Sequence, residues 1–158
     1  MTTGLRAGGV DTATGSGSGA APRPVLLATL DAPLLAEAAR FGVDSAVESG
    51  QPLIVVNAVE TTLGPCSRVL GYDYIATPEI ETSLRAPADL AHGLGIRVER
   101  ICVRSTQPVE ALIDLAGERG TGLLVLGADP SRIRARRYRR AVRKIRERSA
   151  CLLWLPAD

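Results

Sequence analysis

The residues best suited to chemistry lie in one stretch near the C-terminus. Leu123–Leu126 reads Leu-Leu-Val-Leu and stops at Gly127, and Arg132–Arg148 then carries ten of the chain's nineteen Lys and Arg residues. A buried strand that ends in glycine and feeds a helix is a frequent phosphate cradle, because the N–H groups of the turn face the ligand. Such a loop needs further glycines so that backbone can approach the phosphates. Those glycines are missing here. Arginines, which bind phosphate by charge and fork geometry, stand nearby instead. The stretch is a nucleotide site or the remnant of one.

Other reactive residues are sparse. His92 is the only histidine, and it falls near a helix end with no Ser or Cys nucleophile signature to pair with. A catalytic triad is therefore not expected, and no catalytic residue is assigned. Cys66, Cys102 and Cys151 have no metal-like spacing, so no metal site is expected. Cys102 and Cys151 sit in apolar runs and are expected to be buried, reduced thiols of a cytoplasmic protein.

Composition bounds the remaining classes. With 158 residues the chain fits one domain with a full core. Aromatics are only 3%, so that core must be mainly Leu, Val, Ile and Ala. The net charge of +2 hides an asymmetry: Arg132–Arg148 sets ten bases against Glu147 alone, which leaves −7 on the rest. Arginine outnumbers lysine eighteen to one, a bias of GC-rich bacterial genomes. No apolar run reaches the eighteen residues of a membrane helix, so no membrane partner is expected. Met1 to Pro24 is rich in Gly, Thr, Ser and Ala and lacks the apolar region of a secretory signal. Residues 1–23 are expected to be a disordered tail, and residues 24–158 the one domain.

The elements that must position these residues alternate. Val25–Leu30 is the first strand. A helix opens at Asp31-Ala32-Pro33, with Asp31 as N-cap, and stops at Gly50. Leu53–Val59 is a strand apolar enough to be buried on both faces. Glu60–Thr77 is irregular, and the second helix runs from Thr77 to about His92, with Pro87 expected to kink or split it. Ile96–Val103 is the third strand, Pro108–Glu118 a helix and Leu123–Leu126 the fourth strand. Asp129 or Ser131 caps the last helical segment, which forms one helix or two pieces. There Tyr138, Ala141, Val142 and Ile145 recur at i, i+3, i+4, i+7 and form the buried stripe. Cys151–Leu155 is the fifth strand, with Trp154 in core or interface. Five strands alternating with four helices predict a parallel α/β sheet.

Leu30-Asp31, Gln107–Leu112, Leu123–Gly127 and Ala150–Pro156, in that order and spacing, resemble the universal stress protein family. The resemblance covers about Pro24 to Pro156. It implies a five-stranded parallel sheet of order 3-2-1-4-5 with helices on both faces, a Rossmann-like fold of the adenine nucleotide alpha hydrolase type. Ligands then bind beyond the carboxyl ends of strands 1 and 4, where the winding reverses. Asp31 matches the family's nucleotide-side aspartate, and Ala58 the position whose backbone meets adenine. ATP-binding members carry Gly, two residues, Gly, nine residues, then Gly and Ser or Thr. This chain has Gly127, Pro130, Arg140 and Ala141 at that spacing, so only the first position matches. Pro130 has no N–H, Arg140 puts a long side chain where backbone should approach, and Ala141 lacks a hydroxyl.

The expected function is that of a non-enzymatic, cytoplasmic, bacterial stress-response protein with a degenerate ATP motif. It would act through a protein partner or an altered anionic ligand near Arg140. The alternative is a retained sensor of ATP, AMP or cyclic AMP, and a third reading is polyanion binding through Arg132–Arg148. The arginine stripe lacks both aromatic interleaving and a recognised motif, which argues against nucleic acid. The resemblance also implies a homodimer through the last strand, Cys151, Leu152, Leu153, Trp154 and Leu155, where an exposed edge invites pairing.

Overall fold

The computed structural model describes residues 20–61 and 76–157. Cys66, most of the irregular stretch after Glu60 and residues 1–19 lie outside them. The elements run in the order β1 (Val25–Thr29), α1 (Ala36–Ser49), β2 (Leu53–Glu60), α2 (Pro78–Gly93), β3 (Val98–Ser105), α3 (Pro108–Glu118), β4 (Leu123–Leu126), a 3-10 turn (Pro130–Arg132), α4 (Ala135–Arg148) and β5 (Leu152–Trp154). The strands form one parallel sheet in the order β3-β2-β1-β4-β5. This is the predicted fold.

Side-chain alternation along the strands sorts the core into two layers. Leu26, Ala28, Ile54, Val56, Leu124 and Leu126 pack beneath α3 and α4. Val25, Leu27, Leu53, Val55 and Val125 pack beneath α1 and α2 on the other face. β1, β2 and β4 are covered on both faces, so they are near-continuous apolar runs. In α4, Ala141 and Ile145 are buried, and Tyr138 and Val142 pack half-buried beside them. That confirms the stripe expected from helical spacing.

Five local expectations need correction. Asp31 does not cap α1: its φ is +54°, the helix starts at Ala36, and its N-cap is Leu35, which makes no side-chain cap bond. α2 runs unbroken through Pro87, which is buried within it. β3 starts two residues later than predicted, because the Ile96 N–H bonds to the Ala91 carbonyl in the exit turn of α2, where Gly95 has φ +83°. β5 is three residues long and does not include Cys151 or Leu155. Cys102 is exposed and Cys151 half-buried, not buried as expected, and both are free thiols. The reason is position: β3 is an edge strand, with Glu99, Arg100, Cys102 and Arg104 left exposed. The basic segment resolves into two pieces, the 3-10 turn capped by Asp129 and then α4.

Candidate functional site

The winding reverses between β1 and β4, and the two loops that leave these strands are laced together. The Leu35 N–H donates to the Gly127 carbonyl at 2.8 Å, and the Asp129 N–H donates to the Pro33 carbonyl at 3.0 Å. Leu34 and Ala128 form an antiparallel bridge between them. Asp31 bulges outward in the left-handed conformation, and its N–H donates to Oδ1 of the buried Asn57 at 2.9 Å. Asn57 thus ties the end of β2 to the turn after β1.

Gly127 keeps a negative φ, so turn geometry does not require glycine there. Space does. A Cβ at this position would lie 2.8 Å from Leu34 Cδ2 and 2.9 Å from Ala38 Cβ. The residue lets α1 and its entry loop approach β4.

Most of the backbone donors at this turn are already committed. The Gly127 N–H donates to the Ala28 carbonyl at 2.8 Å. Pro130 has none to offer. The Ser131 N–H and hydroxyl both donate to Asp129 Oδ1, at 2.9 and 2.7 Å. The Arg132 N–H bonds to the Asp129 carbonyl, and the Ile133 N–H to that of Pro130. A phosphate beside Ser131 would meet the Asp129 carboxylate that already holds its N–H and hydroxyl.

A separate groove of about 380 Å³ lies between α4 and the N-terminus of α3, at the carboxyl ends of β2 and β3. Five cations line it: Arg134, Arg136, Arg137, Arg140 and Lys144. Its two acids are each engaged. Glu60 pairs with Arg137 at 3.2 Å, and Glu110 accepts from Lys144 at 3.3 Å and from Arg148 at 2.7 Å. At the start of α3, Gln107 makes no side-chain cap bond and Pro108 occupies the first turn. The groove therefore combines excess positive charge with a helix N-terminus.

The six residues proposed from sequence do not converge on one cavity. Arg140 and Ala141 line the groove, with Ala141 buried as part of its floor. Asp31, Gly127 and Pro130 belong to the laced loops. Ala58 is buried within β2, opposite Val103 of β3. Glu60, Glu110, Arg136, Arg137 and Lys144 were missed as site residues. Their helical signal was present, since 137, 140, 141 and 144 share one flank of a helix, but the acids come from other elements.

Ion pairs anchor the basic segment to the body. Hydrogen bonds from Arg132 hold the Glu79 carboxyl below its ordinary value, those from Arg100 lower Glu81, and those from Arg148 and then Lys144 lower Glu110. Depressed carboxylate values contribute stability above the unfolded value of 4.5, and that contribution is lost as pH falls through the folded values. Thermal melts should therefore show stability falling below about pH 4.5. Glu110→Gln should flatten this acid limb and leave the melt at pH 8 changed by only a few degrees, because the pairs are exposed. An unchanged acid limb would remove Glu110 from this account. Among the described residues no group of His, Cys, Asp and Glu could hold a metal ion. No helix there is long and apolar enough to cross a membrane.

A parallel sheet of order 3-2-1-4-5, helices on both faces and a reversal between β1 and β4 define a Rossmann-like, doubly wound α/β domain. The profile of the universal stress protein family matches residues 22–151, and the chain belongs to that family. Among solved structures, it is similar to a universal stress protein in complex with cAMP, at 25% identity and TM-score 0.59, covering 87% of this chain and 99% of that one. The universal stress protein from Archaeoglobus fulgidus in complex with dAMP is 15% identical, with TM-score 0.58 over 86% of this chain and 98% of that one. Universal stress protein UspA from Lactobacillus plantarum is 12% identical, with TM-score 0.60 over 87% and 99%. At such identities the last two bear on the fold alone. A comparison with curated proteins found no relative.

Proposed function

We propose that this protein is a non-catalytic, cytoplasmic ligand-binding member of its family whose ATP motif is degenerate. It takes a small anionic ligand through the arginines of the groove beside Arg140. Residues 24–158 form its one domain and residues 1–23 an appended tail. The observation that carries this reading is the exchange of donors. In the turn after β4 the N–H groups of Gly127, Asp129, Ser131, Arg132 and Ile133 are committed and Pro130 has none, while five cationic side chains line the adjacent groove. Guanidinium forks replace backbone as the anion holder. Titration calorimetry with ATP, AMP and cyclic AMP tests it. Weak or absent binding of ATP, with an anionic ligand bound through Arg136 and Arg140, is expected. Saturable micromolar ATP binding abolished by Asp31→Ala would sink it and establish the alternative, an adenine-nucleotide sensor using Asp31, Gly127 and arginines in place of the missing donors. The cAMP complex of a 25% identical neighbour is what favours keeping that second reading.

The protein is further proposed to act as a homodimer through β5. This strand ends the sheet, Leu152 is 75% exposed, and Trp154 stacks on Phe41 with ring centroids 5.3 Å apart. An exposed apolar edge strand invites pairing with a second copy. Sedimentation should give a dimer at micromolar concentration and a monomer for Leu152→Glu. A monomeric wild type would end this proposal.

A further inference from the structure

The ten cations of Arg132–Arg148 divide sharply by partner. Four are held by acids of the same chain: Arg132 by Glu79, Arg137 by Glu60, and Lys144 and Arg148 by Glu110. Arg134, Arg136, Arg139, Arg140, Arg143 and Arg146 have no acidic partner among the described residues. The division follows the helix. At 100° per residue, Arg137, Lys144 and Arg148 turn toward α3, whereas Arg136, Arg139, Arg140, Arg143 and Arg146 occupy the sector opposite the buried Ala141 and Ile145. All five are exposed. They recur at each turn over about 15 Å of axis, a continuous row of guanidinium groups bounded at its C-terminal end by Glu147.

Charge dominates this face, and between its arginines runs a cleft of about 500 Å³ lined by Tyr138, Val142, Arg139, Arg143, Arg146 and Glu147. Tyr138 and Val142, the apolar residues beside it, are packed against the core. Tyr138 is the one aromatic residue there and is half-buried against the core, which leaves no row of exposed rings for base stacking, and no exposed apolar wedge projects toward a lipid surface. A partner that fits is one whose negative charges lie in a line long enough to span several turns of unpaired arginines. We infer that the outward face of α4 binds a linear inorganic polyphosphate chain, with Arg139, Arg143 and Arg146 at its centre. This surface is distinct from the groove on the α3 side of the same helix. Arg136 and Arg140 border both.

The test is fluorescence anisotropy of end-labelled polyphosphate with the full chain at 50 and 200 mM salt. Duplex DNA and oligoglutamate of equal charge serve as competitors. Engaging five phosphates implies a slope of about −4 in log affinity against log salt, by analogy with nucleic-acid backbones, or about a 200-fold loss over that range. Arg139→Gln/Arg143→Gln/Arg146→Gln should reduce the slope by about three and the loss to less than tenfold. All three positions are exposed, so its melting curve should match the wild type. A flat salt dependence, a triple variant that binds as wild type, or DNA or oligoglutamate competing as well as polyphosphate itself would each overturn the inference.

Discussion

Gly127→Val is expected to lower the melting temperature by roughly 6–12 °C, the effect of about 3 kcal/mol of overpacking in a domain of this size. A Cβ there lies 2.8 Å from Leu34 Cδ2, 2.9 Å from Ala38 Cβ and 3.3 Å from Leu27 Cδ1. Leu34 Cδ2 ends a flexible side chain beside a cavity, but Ala38 Cβ has no such freedom. All three residues are buried, and Ala38 Cβ is fixed to the backbone of α1. Relief would require α1 to move off the sheet, which would break the bonds from Leu35 to Gly127 and from Asp129 to Pro33. Differential scanning calorimetry of the variant is the check. A melting temperature within about 2 °C of wild type would mean that the turn has slack and that Gly127 is there for another reason.

Arg136→Ala/Arg140→Ala should weaken binding of the groove's anionic ligand about a hundredfold or more. Each charge-assisted hydrogen bond to an anion is worth about 1.5–3 kcal/mol, and two are removed. Both side chains are exposed and without an acidic partner among the described residues, so their loss should leave the fold intact. Calorimetry against whichever of ATP, AMP and cyclic AMP binds the wild type measures it. The companion Pro130→Gly/Ala141→Ser, which restores two positions of the ATP motif, should raise ATP affinity by less than about threefold. Asp129 would still hold the Ser131 N–H and hydroxyl. A large gain from the companion, with no loss from the arginine variant, would return the site to the turn at Gly127.

Much of the fold was legible because burial on two faces writes itself plainly into sequence. β4 and α3 fall on the residues that periodicity indicates, Leu123–Leu126 and Pro108–Glu118. Boundaries failed where a distant element decided them. Asp31 has the side chain of an N-cap, yet the turn after β1 is pinned to β4 and to Asn57, which delays the helix to Ala36. Pro87 carries a local kink signal, but it sits buried in a helix held along its length by the core. Cys102 lies in a run that reads as buried only if both neighbours are present, and β3 has one.

By itself the sequence determined the order of elements, the parallel sheet and the apolar stripe of α4. Each of these depends on residue type and local spacing. Only the tertiary structure decided what surrounds the turn at Gly127 and the arginines of α4. Asp129 takes up the donors of Ser131, Gly127 serves close packing of α1, and the cationic groove forms where α4 meets α3. The physical reason is that charge on a helix becomes a site only through what lies opposite. Glu60 and Glu110 pair with Arg137, Lys144 and Arg148 on the inner flank of α4, and the arginines of the outer flank are left to solvent.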